Sequence, residues 1–153
     1  RLDVRGFGAI QGIATDGELL YFGSSDYHVC CYSPMGSELW NKIAEGQVAS
    51  APLIIGDWLF VEVLGNGMTS FNRKDGEIIW NEKGASHIVA SNGAKVYAAT
   101  ERGELWVLNV PDGKKEGCLD VNEFDFAPRN TKTDGLIVLA SKDGRVFCLK
   151  PLE

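Results

Sequence analysis

The sequence lacks a long apolar run and an excess of basic residues, and each absence excludes a class of protein. The longest uninterrupted apolar runs are about five residues, as in Leu136–Ala140, whereas a membrane-spanning helix needs roughly 20. Lys and Arg number 15 against 21 Asp and Glu, and the net charge of −6 opposes the phosphate contacts that nucleic-acid binding requires. We therefore expect no membrane span and no nucleic-acid partner.

Metal and nucleotide motifs are also missing. The sequence contains no C-x-x-C pair, no P-loop, no H-E-x-x-H pair and no EF-hand loop, so it predicts no metal site. The disulfide state stays open for the four cysteines, which are Cys30, Cys31, Cys118 and Cys148. The chain starts at Arg1 without Met, which leads us to expect a removed leader or a piece of a longer chain.

What the sequence does contain is a repeat of about 39 residues. Four similar stretches begin 39, 37 and 41 positions apart: Tyr27–Ser33, Asn66–Asn72, Gly103–Asn109 and Gly144–Lys150. The first three are followed by a glycine turn, and four residues after that glycine stand Trp40, Trp80 and Gly117. A fixed period of this length is typical of solenoids and propellers.

Each repeat predicts a meander of about four β-strands. Apolar residues alternate or run in blocks of four to six, and 18 glycines mark frequent turns. Such a sheet covers its two faces only by stacking on neighbouring sheets, so the sequence predicts an all-β fold, a four-bladed β-propeller of antiparallel sheets. The predicted repeats are 7–46, 47–84, 85–122 and 123–153, with residues 1–6 as an outer strand.

The two ends of the sequence complement each other. Leu2–Val4 matches Leu119–Val121 in the third repeat, whereas the fourth repeat ends after its third strand. The first residues could therefore close the fourth blade or cover a blade of another copy, and both ends could equally be cut edges of a larger ring. A closed four-bladed ring, an eight-bladed homodimer and half of a longer chain all stay open.

The repeat resembles that of PQQ-like β-propellers, a family that includes quinoprotein alcohol dehydrogenases and BamB-type assembly scaffolds. The resemblance lies in Asp134–Gly135, the strand Ile137–Ser141, Asp143–Gly144 and the turn with its tryptophan, Asn72–Trp80. It implies that Trp40 and Trp80 dock against the neighbouring blade. It also implies an extracytoplasmic location, and Gly117 predicts a weaker blade junction in the third repeat.

Cys30–Cys31 offers a redox alternative. In quinoprotein dehydrogenases adjacent cysteines form a disulfide against the cofactor, so the pair would fit a fragment of a PQQ-dependent oxidoreductase with Ca²⁺. Cys31 and Cys148, however, occupy the repeat position held elsewhere by Ser70 and Val107. That equivalence favours small residues packed between blades, with no cofactor at all.

Four polar residues stand five positions before the inner turns, where the innermost strands should begin: Gln11, Ser50, His87 and Arg129. They predict a polar ring at one mouth of the central channel, where Arg129 could hold an anion or a partner's loop. No catalytic or metal-binding residues are predicted. Carboxylates, Glu62 among them, are expected on a solvated rim, and Tyr27, in place of a turn glycine, predicts an altered turn or a ring presented at a blade edge.

The function predicted from these features is non-catalytic. We expect a binding or scaffold propeller whose partner is another protein, the remainder of a longer chain or a second copy of itself. The quinoprotein oxidoreductase fragment is the alternative, and a propeller that cleaves carbohydrate is a more distant one.

Overall fold

The computed structural model of the chain describes residues 7–150, and every regular element in that range is a β-strand. No helix in this part of the chain is long and apolar enough to cross a membrane. The strands are β1 (Ile10–Thr15), β2 (Leu20–Ser24), β3 (His28–Tyr32), β4 (Glu38–Ile43), β5 (Leu53–Ile55), β6 (Trp58–Val63), β7 (Gly67–Asn72), β8 (Ile78–Glu82), β9 (His87–Ser91), β10 (Lys95–Ala99), β11 (Glu104–Asn109), β12 (Lys115–Asp120), β13 (Ile137–Ala140) and β14 (Val146–Leu149).

The strands form antiparallel meanders in chain order. Three sheets have four strands each, β1–β4, β5–β8 and β9–β12, and β13 pairs with β14. Each sheet lies within one of the repeats that the sequence predicts. The prediction of an all-β fold built from repeated antiparallel meanders is confirmed.

The same irregularity recurs between the third and fourth strands of the three complete sheets. The register shifts after Cys31, Ser70 and Val107, which hold equivalent positions in their repeats. The partners of these residues on the fourth strand are Trp40, Trp80 and Gly117 respectively. A bulge increases the local twist of a strand pair, so each outer strand twists more strongly near its tryptophan or glycine.

The second strand of each complete sheet supplies most of the core. β2, β6 and β10 are buried along nearly their whole length, because these strands are covered on both faces. The chain divides into two compact units at the boundary between Lys83 and Gly84. One core gathers Tyr21, Leu59, Val61 and Phe71 in the first unit, and the other gathers Val89, Tyr97, Leu105 and Leu139 in the second.

The fourth repeat differs from the prediction of four strands. Residues 127–136 contain no strand, and just before them Phe126 makes an isolated bridge to Ala140. Pro128 lacks a backbone donor and the following residues are polar, so this segment is a poor strand. The predicted outer strand at Leu2–Val4 lies outside the described residues. In this part of the chain β14 has β13 as its sole partner, and Val146, Phe147 and Cys148 are exposed.

Candidate functional site

A buried carboxylate lies beside one of the predicted channel residues in the first unit. Ser50 Oγ donates a hydrogen bond to Glu62 Oε2 at 2.6 Å, and Glu62 is only 4% exposed. Gly12 lies directly against Ala51, because a Cβ at Gly12 would stand 2.6 Å from the Ala51 Cα atom. The structure therefore brings β1, beside Gln11, against the segment that leads into β5, beside Ser50.

Glu62 is a functional candidate that the sequence interpretation missed. Its carboxylate is predicted on a solvated rim, and that prediction is wrong because Glu62 lies within β6, next to its last residue, and β6 is buried on both faces. A charged side chain in a β-branched and aromatic strand was the available signal, since buried carboxylates occur mainly where they have a hydrogen-bonding partner. Gln11, by contrast, hydrogen bonds locally, from Nε2 to the Ala9 carbonyl at 3.2 Å.

The other two predicted channel residues belong to the second unit. His87 begins β9, as expected, and its Nε2 donates to the Ala127 carbonyl at 3.2 Å. Beside it lies a cavity of about 220 Å³ that Thr100, Glu104 and Asp125 also line. Arg129 lies in the irregular segment before β13 and not at the start of a strand, which corrects its predicted placement.

The four predicted channel residues are thus divided between the two units. Gln11 and Ser50 belong to the first unit, and His87 and Arg129 belong to the second. A ring of all four around one channel mouth stays a prediction.

The adjacent cysteines lie on opposite faces of β3. Cys31 joins the core that contains Tyr21 and Trp40, whereas Cys30 packs with Phe22 and Tyr32. Consecutive side chains of a strand point to opposite faces, so the two sulfurs cannot bond while β3 keeps its pairing. Both cysteines are free thiols, and burial raises the pKa of Cys30 to about 12.

The residues present do not fit a quinone held against a disulfide of adjacent cysteines. The Cys30–Cys31 geometry is that of two packed side chains, and Cys118 and Cys148 are exposed free thiols. The packing between blades that the repeat predicted is therefore found for Cys31 and not for Cys148. Within residues 7–150 no group of three or more His, Cys, Asp or Glu side chains is arranged to hold a metal ion.

Trp40 connects two sheets of the first unit. Its Nε1 donates to the Arg73 carbonyl at 3.0 Å, and its ring lies against Gly76 in the turn between β7 and β8. Trp80 holds the same position in the next sheet and contacts Phe60, with ring centroids 5.5 Å apart. Both indoles are nearly buried, at 7% and 9% exposure.

Tyr27 is the one non-glycine residue with positive φ among those described. Its φ is +77°, close to the +74° and +91° of Gly103 and Gly144 at the same repeat position. The ring is 49% exposed. The sequence indicated an altered turn here, and the structure shows a tyrosine in a backbone conformation that favours glycine.

Comparison with known proteins first defines the class. The β-propeller domain of Cps50 (Swd1) from Myceliophteria thermophila superposes with a TM-score of 0.72 at 15% identity, over 91% of this chain and 52% of that chain. BamB from Moraxella catarrhalis superposes with a TM-score of 0.75 at 18% identity, over 94% of this chain and 47% of that chain. The fold is a β-propeller fold built from PQQ-like repeats.

The family follows from the sequence comparison. The family model described as "Outer membrane protein assembly factor BamB" matches residues 2–123, and the chain belongs to this family. The BamB protein of Burkholderia pseudomallei (strain K96243) is 25% identical over 112 residues, which cover 67% of this chain and 29% of the relative. The chain thus spans less than half of the length of either BamB protein.

Proposed function

We propose that this chain provides a non-catalytic, protein-binding propeller that acts in protein assembly outside the cytoplasm. The observation that carries the proposal is the family match over residues 2–123, whose description is an outer membrane protein assembly factor. The curated relative and the superposed structure from Moraxella catarrhalis bear the same name.

The exposed turn at Tyr27 is the strongest candidate for a contact with the partner. A tyrosine in the left-handed region costs about 1–2 kcal/mol relative to a relaxed backbone, and residues held in such conformations concentrate at functional sites. Tyrosine is also enriched in protein interfaces, where its ring supplies apolar area and its hydroxyl a hydrogen bond. The ring of Tyr27 is half exposed and therefore accessible to a partner.

Charge indicates the chemistry of the partner's surface. The chain carries a net charge of −6, and complementary potentials accelerate association. A partner with a basic contact surface fits best, and its association rate should fall as salt is added, because exposed charges are screened.

Replacing Tyr27 with glycine separates binding from folding. The Tyr27→Gly variant should be more stable than the wild type by about 1 kcal/mol, because glycine adopts this φ without strain, and it should capture less partner. Chemical cross-linking and affinity capture from cells of the source organism measure binding, and thermal unfolding measures stability. Met35→Ala is the matched control, since it removes another exposed apolar side chain, 91% exposed, from a different turn.

The outcomes discriminate between the alternatives. A partner that Met35→Ala retains and Tyr27→Gly loses supports a binding surface at Tyr27. If Tyr27→Gly retains every partner, the contact surface lies elsewhere, and if the wild type cross-links to nothing, the binding function is wrong. Dye reduction with an alcohol after addition of PQQ and Ca²⁺ would favour the oxidoreductase alternative instead.

A further inference from the structure

Two of the three complete sheets contain the same aromatic pair, and the third sheet has only one of its two rings. An aromatic ring on the second strand faces the outer-strand tryptophan across a third-strand residue: Tyr21 faces Trp40 across Cys31, and Phe60 faces Trp80 across Ser70. The ring centroids are 6.2 Å and 5.5 Å apart. In the third sheet Tyr97 pairs with Val107 and Val107 with Gly117, so the indole is missing.

The backbone does not require glycine at position 117. Its φ is not in the left-handed region, and an added Cβ would meet its nearest atom, Val107 Cγ2, at 3.4 Å, an ordinary van der Waals contact. Gly76 and Gly84 differ, because a Cβ there would stand 2.6 Å from the Trp40 ring and 2.2 Å from the Trp106 ring respectively. Glycine at position 117 therefore leaves space beside β12, although the backbone conformation does not require glycine there.

That space is a cleft of about 520 Å³ in the second unit. We call it the Gly117 cleft. Tyr97, Leu105 and Val107 form one wall, and Ile137 and Leu149 form the other. An apolar cavity of about 150 Å³ is large enough to bind benzene, so this cleft has room for an indole.

Polar side chains also line the cleft. Lys95 and Glu116 form an ion pair there, and Asn92 Nδ2 donates to the Tyr97 hydroxyl at 3.3 Å. Trp40 in its own site donates its indole N–H to a carbonyl. The carboxylate of Glu116 offers an acceptor for the same donor in the third sheet.

We propose that the Gly117 cleft binds a tryptophan side chain of a protein partner, in the place that Trp40 and Trp80 occupy in their own sheets. The inference rests on the proposed protein-binding function and names the group that the partner inserts. The same fold holds an indole at the equivalent position of two other sheets, so the cleft is complementary to a tryptophan side chain. A buried aromatic anchor in a pocket is also the usual centre of a binding hot spot.

The test uses a short peptide as the probe. Ac-Gly-Trp-Gly-NH₂ is titrated into methyl-labelled protein, and we expect saturable ring-current shifts at the methyl groups of Leu105, Ile137 and Leu149. Ac-Gly-Ala-Gly-NH₂ should leave those signals unchanged. Absence of saturable shifts with the tryptophan peptide, or equal shifts with the alanine peptide, overturns the proposal.

Two variants at position 117 locate the site. Gly117→Trp fills the cleft from within and should weaken peptide binding at least about tenfold, whereas Gly117→Ala adds one methyl group and should retain it. Equal affinity in both variants overturns the proposal. If Gly117→Trp does not fold, Leu119→Glu places a charge on a half-exposed lining residue and should weaken binding instead. If the peptide titration fails while partner capture still depends on Tyr27, the cleft proposal is wrong and the proposed binding function stands.

Discussion

At the scale of single residues, the contact between Trp40 and Gly76 explains why a glycine stands in the turn between β7 and β8. Gly76 has a φ of +73°, and a Cβ there would stand 2.6 Å from the Trp40 ring. The glycine therefore serves both the backbone conformation and the approach of the indole to the neighbouring sheet. The two requirements can be separated by comparison with a glycine that meets only the first.

Gly76→Ala and Gly93→Ala form that comparison. Gly93 has a φ of +88° and nothing within 4 Å of an added Cβ, so alanine costs backbone strain alone, about 1–2 kcal/mol. Alanine at 76 should cost a further ~1–3 kcal/mol, because it forces the Trp40 ring to move. Urea unfolding of the two variants measures the difference. Equal losses would mean that the indole moves aside freely and contributes little to the junction.

Residue patterns predicted some of these features and missed others. The repeat predicts the position of Trp40, because Trp80 holds the same position in the next repeat. It also predicts the unusual turn at Tyr27, because Tyr27 stands where other repeats have a turn glycine. For Glu62 the one signal was its place in a β-branched and aromatic strand, and the repeat does not indicate its hydrogen bond from Ser50, 12 residues earlier. The placement of Arg129 was wrong because alignment of the repeats assumed a strand that Pro128 and its polar neighbours do not form.

At the scale of single elements, the alternation of side chains along β3 decides the chemistry of the cysteines. Cys30 and Cys31 are buried on opposite faces, and burial is the largest cause of the raised pKa of each thiol. Reactivity follows the thiolate, so buried thiols with raised pKa values should be inert. Cys118 on β12 and Cys148 on β14 are exposed.

A thiol titration tests this arrangement. With Ellman's reagent in mildly alkaline buffer, the native protein should show two fast-reacting thiols, and all four should react after denaturation without reductant, because all are free. Cys118→Ser should remove one fast thiol, and Cys30→Ser should remove none. Four fast thiols in the native protein would contradict the burial of β3, and fewer than four after denaturation would indicate a disulfide.

The element pattern was the part of the fold that sequence predicted best. The 39-residue period and the turn glycines specify three meanders of four strands, since each strand's covered faces and its bounding turns are local properties. The fourth repeat shows where this reasoning stops. Its β13 and β14 are found as predicted, whereas the inner strand expected at residues 127–136 is not formed, because the alignment of repeats does not register Pro128 and its polar neighbours.

At the scale of the whole molecule, both units bury a tyrosine, and the first unit also buries two thiols. Burial raises the pKa of Tyr21 in the first unit and of Tyr97 in the second. It also raises the pKa of Cys30 and of Tyr32 to about 12, and for Tyr32 the hydrogen bond to Glu38 adds to the effect. In every case the folded state favours the neutral, protonated form.

The protein should therefore lose stability at alkaline pH. The unfolded chain gives up these protons near the ordinary values of 9.0 for cysteine and 10.0 for tyrosine, while the folded chain retains those of Cys30 and Tyr32 to about 12. Stability from these groups is thus complete below about pH 9 and declines as pH rises toward 12, because the folded state then binds more protons than the unfolded state. Urea unfolding across this range measures the decline. Cys30→Ala should reduce its slope without removing it, since the tyrosines remain. An unfolding free energy that stays constant from neutral pH to pH 11 would mean that these side chains are hydrated in the folded protein, and that the sheets are packed less tightly than their burial indicates.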